Sequence, residues 1–213
     1  MTTMRTGSMI ATATVVACAV ATATADGQTP AARTPRVAAS SFATVEVHVN
    51  AWLIQNQWDF GDAAFTAPAR IAITYGQPHA RGRAVAGVLV PLDSVWRLGA
   101  NMATTLHTDL PIVVGDVHVP RGDYTLFVRY TRTAWELIVN RETGVWGHYE
   151  YDKAKDVGRT TLAHRALGEA EESLSIYLVP ESTKPGSDNA ELRGTLRIKW
   201  GRDELTTAWR VDH

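Results

Sequence analysis

The chain has 213 residues, of which 45% are hydrophobic, and its formal net charge is -1 at pH 7. This length suits one domain of ordinary size, and the apolar content is enough for a hydrophobic core, which excludes a wholly disordered chain. The nearly neutral charge and the lack of a run of Lys and Arg residues exclude a typical nucleic-acid-binding protein. We therefore expect one globular domain with no nucleic-acid partner.

The first 25 residues have the pattern of a secretory signal peptide. Arg5 gives the positive charge, residues 9–20 are apolar, and Ala23 and Ala25 form an A-x-A site that predicts cleavage after Ala25. The apolar segment is too short to span a bilayer. The sequence thus predicts export to the periplasm or the medium.

Cys18 is the only cysteine of the chain and allows a second interpretation of this segment. Residues 15–18 (VVAC) resemble a lipobox, in which Cys18 would become the lipidated first residue. A lipid anchor at Cys18 would then be the only attachment to a membrane. If cleavage follows Ala25 instead, the mature chain has no thiol and no disulfide, and its stability depends on the core. The sequence leaves both alternatives open.

Residues 26–41 are rich in Ala, Thr, Ser, Arg and Pro, which predicts a flexible leader before a folded domain at 42–213. In that domain apolar and polar residues alternate with a period of two, as in half-buried strands. The predicted strands are 45–49, 70–75, 102–108, 112–114, 117–119, 124–130, 134–140, 146–151, 157–163, 174–179, 191–200 and 205–211.

One stretch, residues 163–172, is rich in Ala and Glu and has helix-like composition, but Gly168 interrupts it. It predicts at most one short helix. About ten short strands separated by turn residues are typical of an all-β fold. We therefore expect an antiparallel β-sandwich or a partly closed barrel.

Residues 89–105 (LVPLDSVWRLGANMATT) follow neither the helical nor the strand period and predict a corner between strands. In one interpretation Arg97 and Asn101 lock this corner by donating hydrogen bonds to backbone carbonyls. In the other, they form the floor of a polar binding pocket together with Trp96 and Thr104. Trp offers a face to a sugar or ring, and Arg and Asn offer donors to carboxylate or hydroxyl groups. Of the two, the sequence favours the lock.

Further motifs surround the corner. They are RGR at 81–83, PRGDYTLF at 120–127, a Trp-led strand ending in Asn at 135–140, and WGHY at 146–149. In this order and spacing, with the corner motif, they resemble the bacterial domain-of-unknown-function family 2911 over about residues 69–211. The resemblance implies an exported, β-rich protein and no particular activity.

The last two motifs add Asn140, Trp146 and Tyr149 to the candidate binding residues. The chain also departs from the family pattern, because Met102 stands where members often have Glu. A role that needs a carboxylate directly after Asn101 is therefore not expected.

A metal site is the second candidate. His107 and Asp109 are two residues apart on a predicted strand, so their side chains point the same way. With a second histidine, His118 above all or else His148 or His164, they would supply the two histidines and one carboxylate of a non-haem iron site. The family pattern has no His at position 107, and the sequence has no nucleophile-elbow, zincin or phosphate-loop motif. No cofactor is predicted.

Three functions are consistent with these observations. The favoured one is an exported, non-enzymatic module that binds a small ligand, a glycan or an envelope partner through the surface at 96–105. The second is a metal-dependent or hydrolase-like enzyme that uses His107 and Asp109. The third is a purely structural envelope protein.

Overall fold

The computed structural model describes residues 40–49, 52–54, 57–59, 69–181 and 192–212. The predicted signal peptide, Cys18 and most of the predicted leader lie outside these residues. In the part of the chain that is described, no helix is long and apolar enough to cross a membrane.

The described residues form an all-β, antiparallel structure, as predicted. Ten strands make one sheet that is not closed, two short strands make a second sheet, and a 3-10 turn at Lys153–Lys155 is the one helical element within the described ranges. The strands are β1 (Ser41–Val49), β2 (Trp52–Ile54), β3 (Gln57–Asp59), β4 (Ala69–Gln77), β5 (Val95–Trp96), β6 (Thr104–Thr108), β7 (Ile112–Val114), β8 (Val117–Val119), β9 (Gly122–Tyr130), β10 (Trp135–Asn140), β11 (Asp156–Pro180) and β12 (Arg193–Val211).

The main sheet has the order β1-β4-β6-β9-β10-β11-β12-β7-β8, and β5 pairs with β9. Alternating side chains from these strands enter one hydrophobic core. Residues from β4, β6, β9 and β10 line the same narrow apolar space as residues from β7, β11 and β12, so the two halves of the sheet face each other. Each fully buried Leu or Ile stabilises the fold by about 1.5–3 kcal/mol.

The centre of the sheet is the hairpin of β9 and β10, which confirms the two strands predicted at 124–130 and 134–140. Thr131 N donates to Ala134 O at 2.8 Å and closes the connection. Trp96 of β5 pairs with Val128, and Asn140 ends β10. The hairpin therefore lies beside the corner at 97–103 and also leads into the WGHY motif.

Residues 163–172, for which the sequence allows at most one short helix, form no helix and continue β11. Their Ala and Glu side chains are mostly exposed, so no apolar helical face exists to be buried. β11 pairs with β12 up to Ala166, at Glu171 and again from Ser175, with register shifts between these positions. The two strands predicted on either side are consequently one strand.

The last two predicted strands are likewise joined, in β12. Gly201 has φ of 58° and continues the strand, in place of the turn predicted there. Beyond it, the carboxylate of Glu204 is buried at 2% exposure and pairs with Arg165, and with Arg197 at 3.3 Å. This ion cluster joins β12 to β11.

Candidate functional site

Backbone contacts and one buried hydroxyl lock the corner at 97–103. Thr104 N donates to Arg97 O at 3.1 Å, and Thr104 Oγ1 donates to Leu98 O at 2.7 Å. Ala100 N donates to Gly76 O of β4 at 3.1 Å. Thr104 is fully buried. The polar lock expected of Arg97 and Asn101 is thus made by Thr104 and by the backbone.

Two residues of the corner have left-handed backbone, Leu98 with φ of 52° and Asn101 with φ of 64°. Asn tolerates this conformation, whereas a bulky residue such as Leu pays about 1–3 kcal/mol for it. Leu98 is 1% exposed, and its burial in the core offsets this strain. The Asn101 side chain is partly exposed and makes no hydrogen bond to a described residue.

Trp96 belongs to the core. Its ring stacks on Trp200 with centroids 5.2 Å apart and an angle of 11° between the planes. Only 9% of Trp96 is exposed. The indole face of Trp96, which was a candidate ligand contact, is therefore covered by the indole of Trp200. Trp96 supports the corner from the core side.

Arg97 takes no part in the lock through its side chain. Its Nε is buried without a hydrogen-bond partner, and the guanidinium makes neither a hydrogen bond nor an ion pair with any residue in the described ranges. Nη1 lies 3.8 Å from the place that a Cβ on Gly147 would occupy. Arg97 therefore lies against the WGHY motif, fifty positions away in the sequence.

The strand predicted at 146–151 is instead part of a loop. Gly144 and Gly147 have φ of 71° and 79°, which favours glycine and breaks a strand. Trp146 forms an isolated antiparallel bridge with Met102 of the corner. This bridge fastens the loop directly to the corner.

The base of the loop is fixed by Asn140, which is fully buried. Its Nδ2 donates to Asp152 O at 2.9 Å and to Asp156 Oδ1 at 2.8 Å. Its Oδ1 accepts from Glu142 N at 2.9 Å. All of these partners belong to the protein itself, so Asn140 anchors the loop and has no free donor for a ligand.

Tyr151 adds a second anchor at the end of the loop. Its hydroxyl donates to Asp156 Oδ2 at 2.8 Å, and its ring meets Phe127 edge-on at 5.1 Å. Burial, and then the hydrogen bond to Asp156, raise the pKa of Tyr151 to about 12. Tyr151 is therefore a neutral donor at physiological pH, and Arg159 Nε donates to the same carboxylate oxygen at 2.9 Å.

The tip of this anchored loop presents aromatic side chains to solvent. Trp146 is 59% exposed and Tyr149 is 83% exposed. The ring of His148 stacks on Tyr149 at 4.4 Å, and His148 Nδ1 is buried without a hydrogen-bond partner among the described residues. We call the surface formed by Arg97, Trp146, Gly147, His148 and Tyr149 the Arg97 surface.

Three of the seven candidate binding residues thus meet on one surface: Arg97, Trp146 and Tyr149. Trp96, Thr104 and Asn140 lie beneath as buried supports. Asn101 lies in the corner next to Met102, the partner of Trp146.

The proposed metal ligands are not brought together in one set of three. His107 Nδ1 is 2.8 Å from Asp123 Oδ1, and His107 Nε2 is 3.1 Å from Asp109 Oδ1. His118 Nδ1 is instead 2.8 Å from Asp212 Oδ2. Within the residues that the structure describes, no group of three His, Cys, Asp or Glu side chains could hold a metal ion.

The family model described as "Protein of unknown function (DUF2911)" matches residues 62–207. The chain belongs to this family. The family resemblance of the sequence is thereby confirmed, and every residue of the Arg97 surface lies inside the match. No curated protein and no solved structure gives a significant match to this DUF2911 chain.

Gly147 and His148 are the residues of the surface that the sequence did not indicate as binding residues. Both stand inside the WGHY motif of this DUF2911 protein, so the motif was the available signal. The spacing of the residues could not show that Gly147 packs on the arginine, because that contact joins two distant segments.

His107 gives a pH-dependent prediction for the DUF2911 domain. The hydrogen bond to Asp123 is the main reason that the pKa of His107 is raised, with a smaller contribution from Asp109. A raised pKa in the folded state stabilises the fold fully below about pH 6.5, the usual pKa in an unfolded chain, and this contribution is lost as pH rises through the folded pKa. In Asp123→Asn we expect a lower His107 pKa and a weaker fall in stability above about pH 6.5.

The measurements are an NMR titration of the His107 ring and urea unfolding at several pH values on both sides of the transition. Asp116→Asn, which changes an exposed carboxylate in the turn between β7 and β8, is the matched control. A His107 pKa that is the same in wild type and Asp123→Asn would show that the ion pair does not form in solution.

Proposed function

We propose that this DUF2911 protein is a non-enzymatic binding module that takes a glycan on the Arg97 surface. The observation that carries the proposal is that Trp146 and Tyr149 expose large rings from a loop whose base is fixed by Asn140. Ring faces of this kind stack on sugars and other rings, and a fixed loop loses little entropy on binding.

The other tryptophans with described side chains support this distinction. Trp96 is 9% exposed, and Trp135, Trp200 and Trp209 are 2–4% exposed, whereas Trp146 is 59% exposed. An indole in water forgoes the stabilisation that burial gives. The two positive-φ glycines on either side of Val145–Trp146 hold the loop in a form that keeps this ring outside. A purely structural protein would gain more from burying it.

An enzyme based on His107 is less well supported. Both ring nitrogens face carboxylates at hydrogen-bond distance, and the hydrogen bond to Asp123 raises the pKa of His107, so this arrangement favours the charged imidazole, in which both nitrogens donate. A charged imidazolium neither accepts a proton from a substrate nor binds a metal ion. The geometry thus favours an ion pair at this position.

We also propose that the protein works outside the cytoplasm, in the periplasm or the medium, or attached to the envelope through a lipid at Cys18. The signal-peptide pattern of residues 1–25 supports this location. A glycan or another envelope component would be the partner available there.

The proposed function predicts that Trp146→Ala/Tyr149→Ala weakens binding to oligosaccharides at least about tenfold and leaves the melting temperature nearly unchanged. Both side chains are exposed, so their removal costs little packing. The probes are an array of neutral and acidic oligosaccharides, followed by saturation-transfer NMR and calorimetry on the sugars that bind. Tyr177→Ala, which removes a 40% exposed tyrosine from β11, is the matched control.

Two results would overturn the proposal. One is a wild-type protein that binds no sugar on the array. The other is equal binding by wild type and the double variant, because the rings would then take no part.

A further inference from the structure

Two buried nitrogen atoms of the Arg97 surface have no partner, Arg97 Nε and His148 Nδ1. A buried polar group without a hydrogen bond costs about 1–3 kcal/mol, and a charged group costs more. Such groups are rare in folded proteins and call for an explanation. An unpaired guanidinium is the more costly of the two, because Arg is always charged and has only donors.

Three other charged side chains that have a buried atom without a hydrogen bond differ from Arg97 in this respect. Glu136, Arg197 and Glu204 also have one buried atom without a hydrogen bond, but each pairs with an opposite charge. Arg97 alone among these residues has no ion pair with a described residue. Arg97 thus carries a positive charge that no described carboxylate pairs with, and it lies beside the exposed rings.

The carboxylates of the loop do not neutralise Arg97 either. Glu142 pairs with Lys155, and Glu150 Oε2 accepts from Trp146 N at 2.9 Å. Asp152 Oδ1 accepts from Ala154 N at 2.9 Å. None of these acids pairs with Arg97, and an anionic group of a ligand would supply the missing counter-charge.

The shape of the site favours an extended ligand. The rings of Trp146 and Tyr149 stand exposed on the surface of the loop. The cavity of about 460 Å³ in the structure is lined by residues near 80–86, 170–172 and 201–203 and includes no residue of the Arg97 surface. A chain that lies across exposed rings, as a glycan does, fits this geometry better than an enclosed small molecule.

From these steps, and resting on the proposed function, we infer that the ligand is an acidic glycan. The guanidinium of Arg97 binds the carboxylate of a uronic acid residue, while Trp146 and Tyr149 contact the faces of neighbouring sugar rings. The planar fork of Arg matches a carboxylate with two parallel hydrogen bonds. Because Arg97 Nε is buried, the ligand meets the terminal nitrogens; it supplies the counter-charge of the guanidinium and makes no hydrogen bond to Nε itself.

The test uses pairs of probes that differ only in the acid group: β-1,4-linked mannuronate against β-1,4-linked mannose tetrasaccharides, and the corresponding glucuronate and glucose tetrasaccharides. We expect the uronate member of at least one pair to bind at least about tenfold more tightly at low salt, and to lose this advantage as NaCl is raised to about 300 mM. Calorimetry with the full mature chain measures both.

Variants of Arg97 separate charge from geometry. In Arg97→Met we expect at least about a tenfold loss of uronate affinity and unchanged binding of the neutral tetrasaccharide. In Arg97→Lys we expect a smaller loss of uronate affinity, because Lys keeps the positive charge but lacks the planar pair of donors. Arg132→Met, at an exposed position between β9 and β10, controls for net charge. The melting temperature of Arg97→Met should equal or exceed that of wild type, since an unpaired charge is removed.

The outcomes distinguish the inference from the proposed function. If both members of each pair bind equally, and only the loss of Trp146 and Tyr149 weakens them, the acidic assignment is overturned and the binding module stands. If a hexa-aspartate peptide competes as well as the uronate, the sugar assignment is overturned. If wild type binds neither member of either pair and no other sugar on the array, both proposals are overturned.

Discussion

Replacing Asn140 with Ala is expected to lower the free energy of unfolding by about 3 kcal/mol. The side chain is fully buried and makes hydrogen bonds to Asp152 O, to the Asp156 carboxylate and from Glu142 N. Its loss would leave three buried or half-buried groups without a partner, and a buried group that loses its partner costs more than a bond contributes when it is made. The effect should be large because the three bonds join both ends of one loop.

Thermal and urea unfolding measure this effect. For a chain of this size, about 3 kcal/mol corresponds to a fall of about 6–12 °C in melting temperature. Arg132→Ala, at an exposed position in the adjacent hairpin, should shift it by less than about 2 °C. Hydrogen exchange should show the loss of protection concentrated in the loop after β10. A fall as small as that of the control would mean that Asn140 does not anchor the loop.

A second variant at the same position keeps the shape. Asn140→Asp replaces both Nδ2 donors with an acceptor that faces the Asp156 carboxylate. Two ionised carboxylates in contact repel each other, so this variant should be less stable at pH 7 than at about pH 4, relative to wild type. A pH-independent difference between the two proteins would contradict this arrangement.

The local pattern of the sequence was sufficient for most of the sheet. Alternation with a period of two predicted the strands at 124–130 and 134–140, which form the hairpin of β9 and β10. It also predicted the strands that contain Trp135 and Trp209, both of which are buried. The same pattern did not predict a strand at residues 163–172, where the composition is helix-like but β12 supplies a pairing strand. Tertiary pairing outweighs a weak local preference there.

The candidate site was predictable only in part. The family motifs identified Arg97, Trp146 and Tyr149, but the period of two placed Trp146 in a strand like the other tryptophans. Its exposure depends on the left-handed backbone of Gly144 and Gly147, and those glycines were visible in the sequence. The contact of Arg97 with the WGHY motif was not predictable, because no local pattern links segments that are fifty positions apart.

The same limit explains why Asn140 could be interpreted as a binding residue. An Asn at the end of a strand suits both a ligand contact and a loop anchor, since its amide can replace either partner. Which of the two roles applies depends on whether a later part of the chain folds back and accepts hydrogen bonds from Asn140. Here the backbone carbonyl of Asp152 and the side chain of Asp156 both accept such bonds, so Asn140 is part of the scaffold.

The packing of the corner on β4 gives the last prediction, that Gly76→Ala destabilises the protein by about 3 kcal/mol or more. A Cβ at Gly76 would lie 2.1 Å from Ala100 O and 2.9 Å from Ala100 C, both backbone atoms of the corner. Backbone at this distance must move as a unit, and the hydrogen bond from Ala100 N to Gly76 O would be lost with it. A displaced corner would also move Arg97, so uronate affinity should fall together with stability.

Gly168→Ala is the matched control for this change. Neither glycine has a positive φ, and no heavy atom lies within 4 Å of a Cβ at Gly168, so the same added methyl group meets open space there. Gly168→Ala should therefore be neutral or stabilise the fold by up to about 1 kcal/mol, because Ala lowers the conformational entropy of the unfolded chain. The decisive quantity is the difference between the two variants in the free energy of unfolding, measured with urea. The loss of glycine's backbone entropy in the unfolded chain is common to both variants and cancels in this difference. If that difference is close to zero, the corner does not lie on β4 at the distance described, and the rigid support that the Arg97 surface requires is absent.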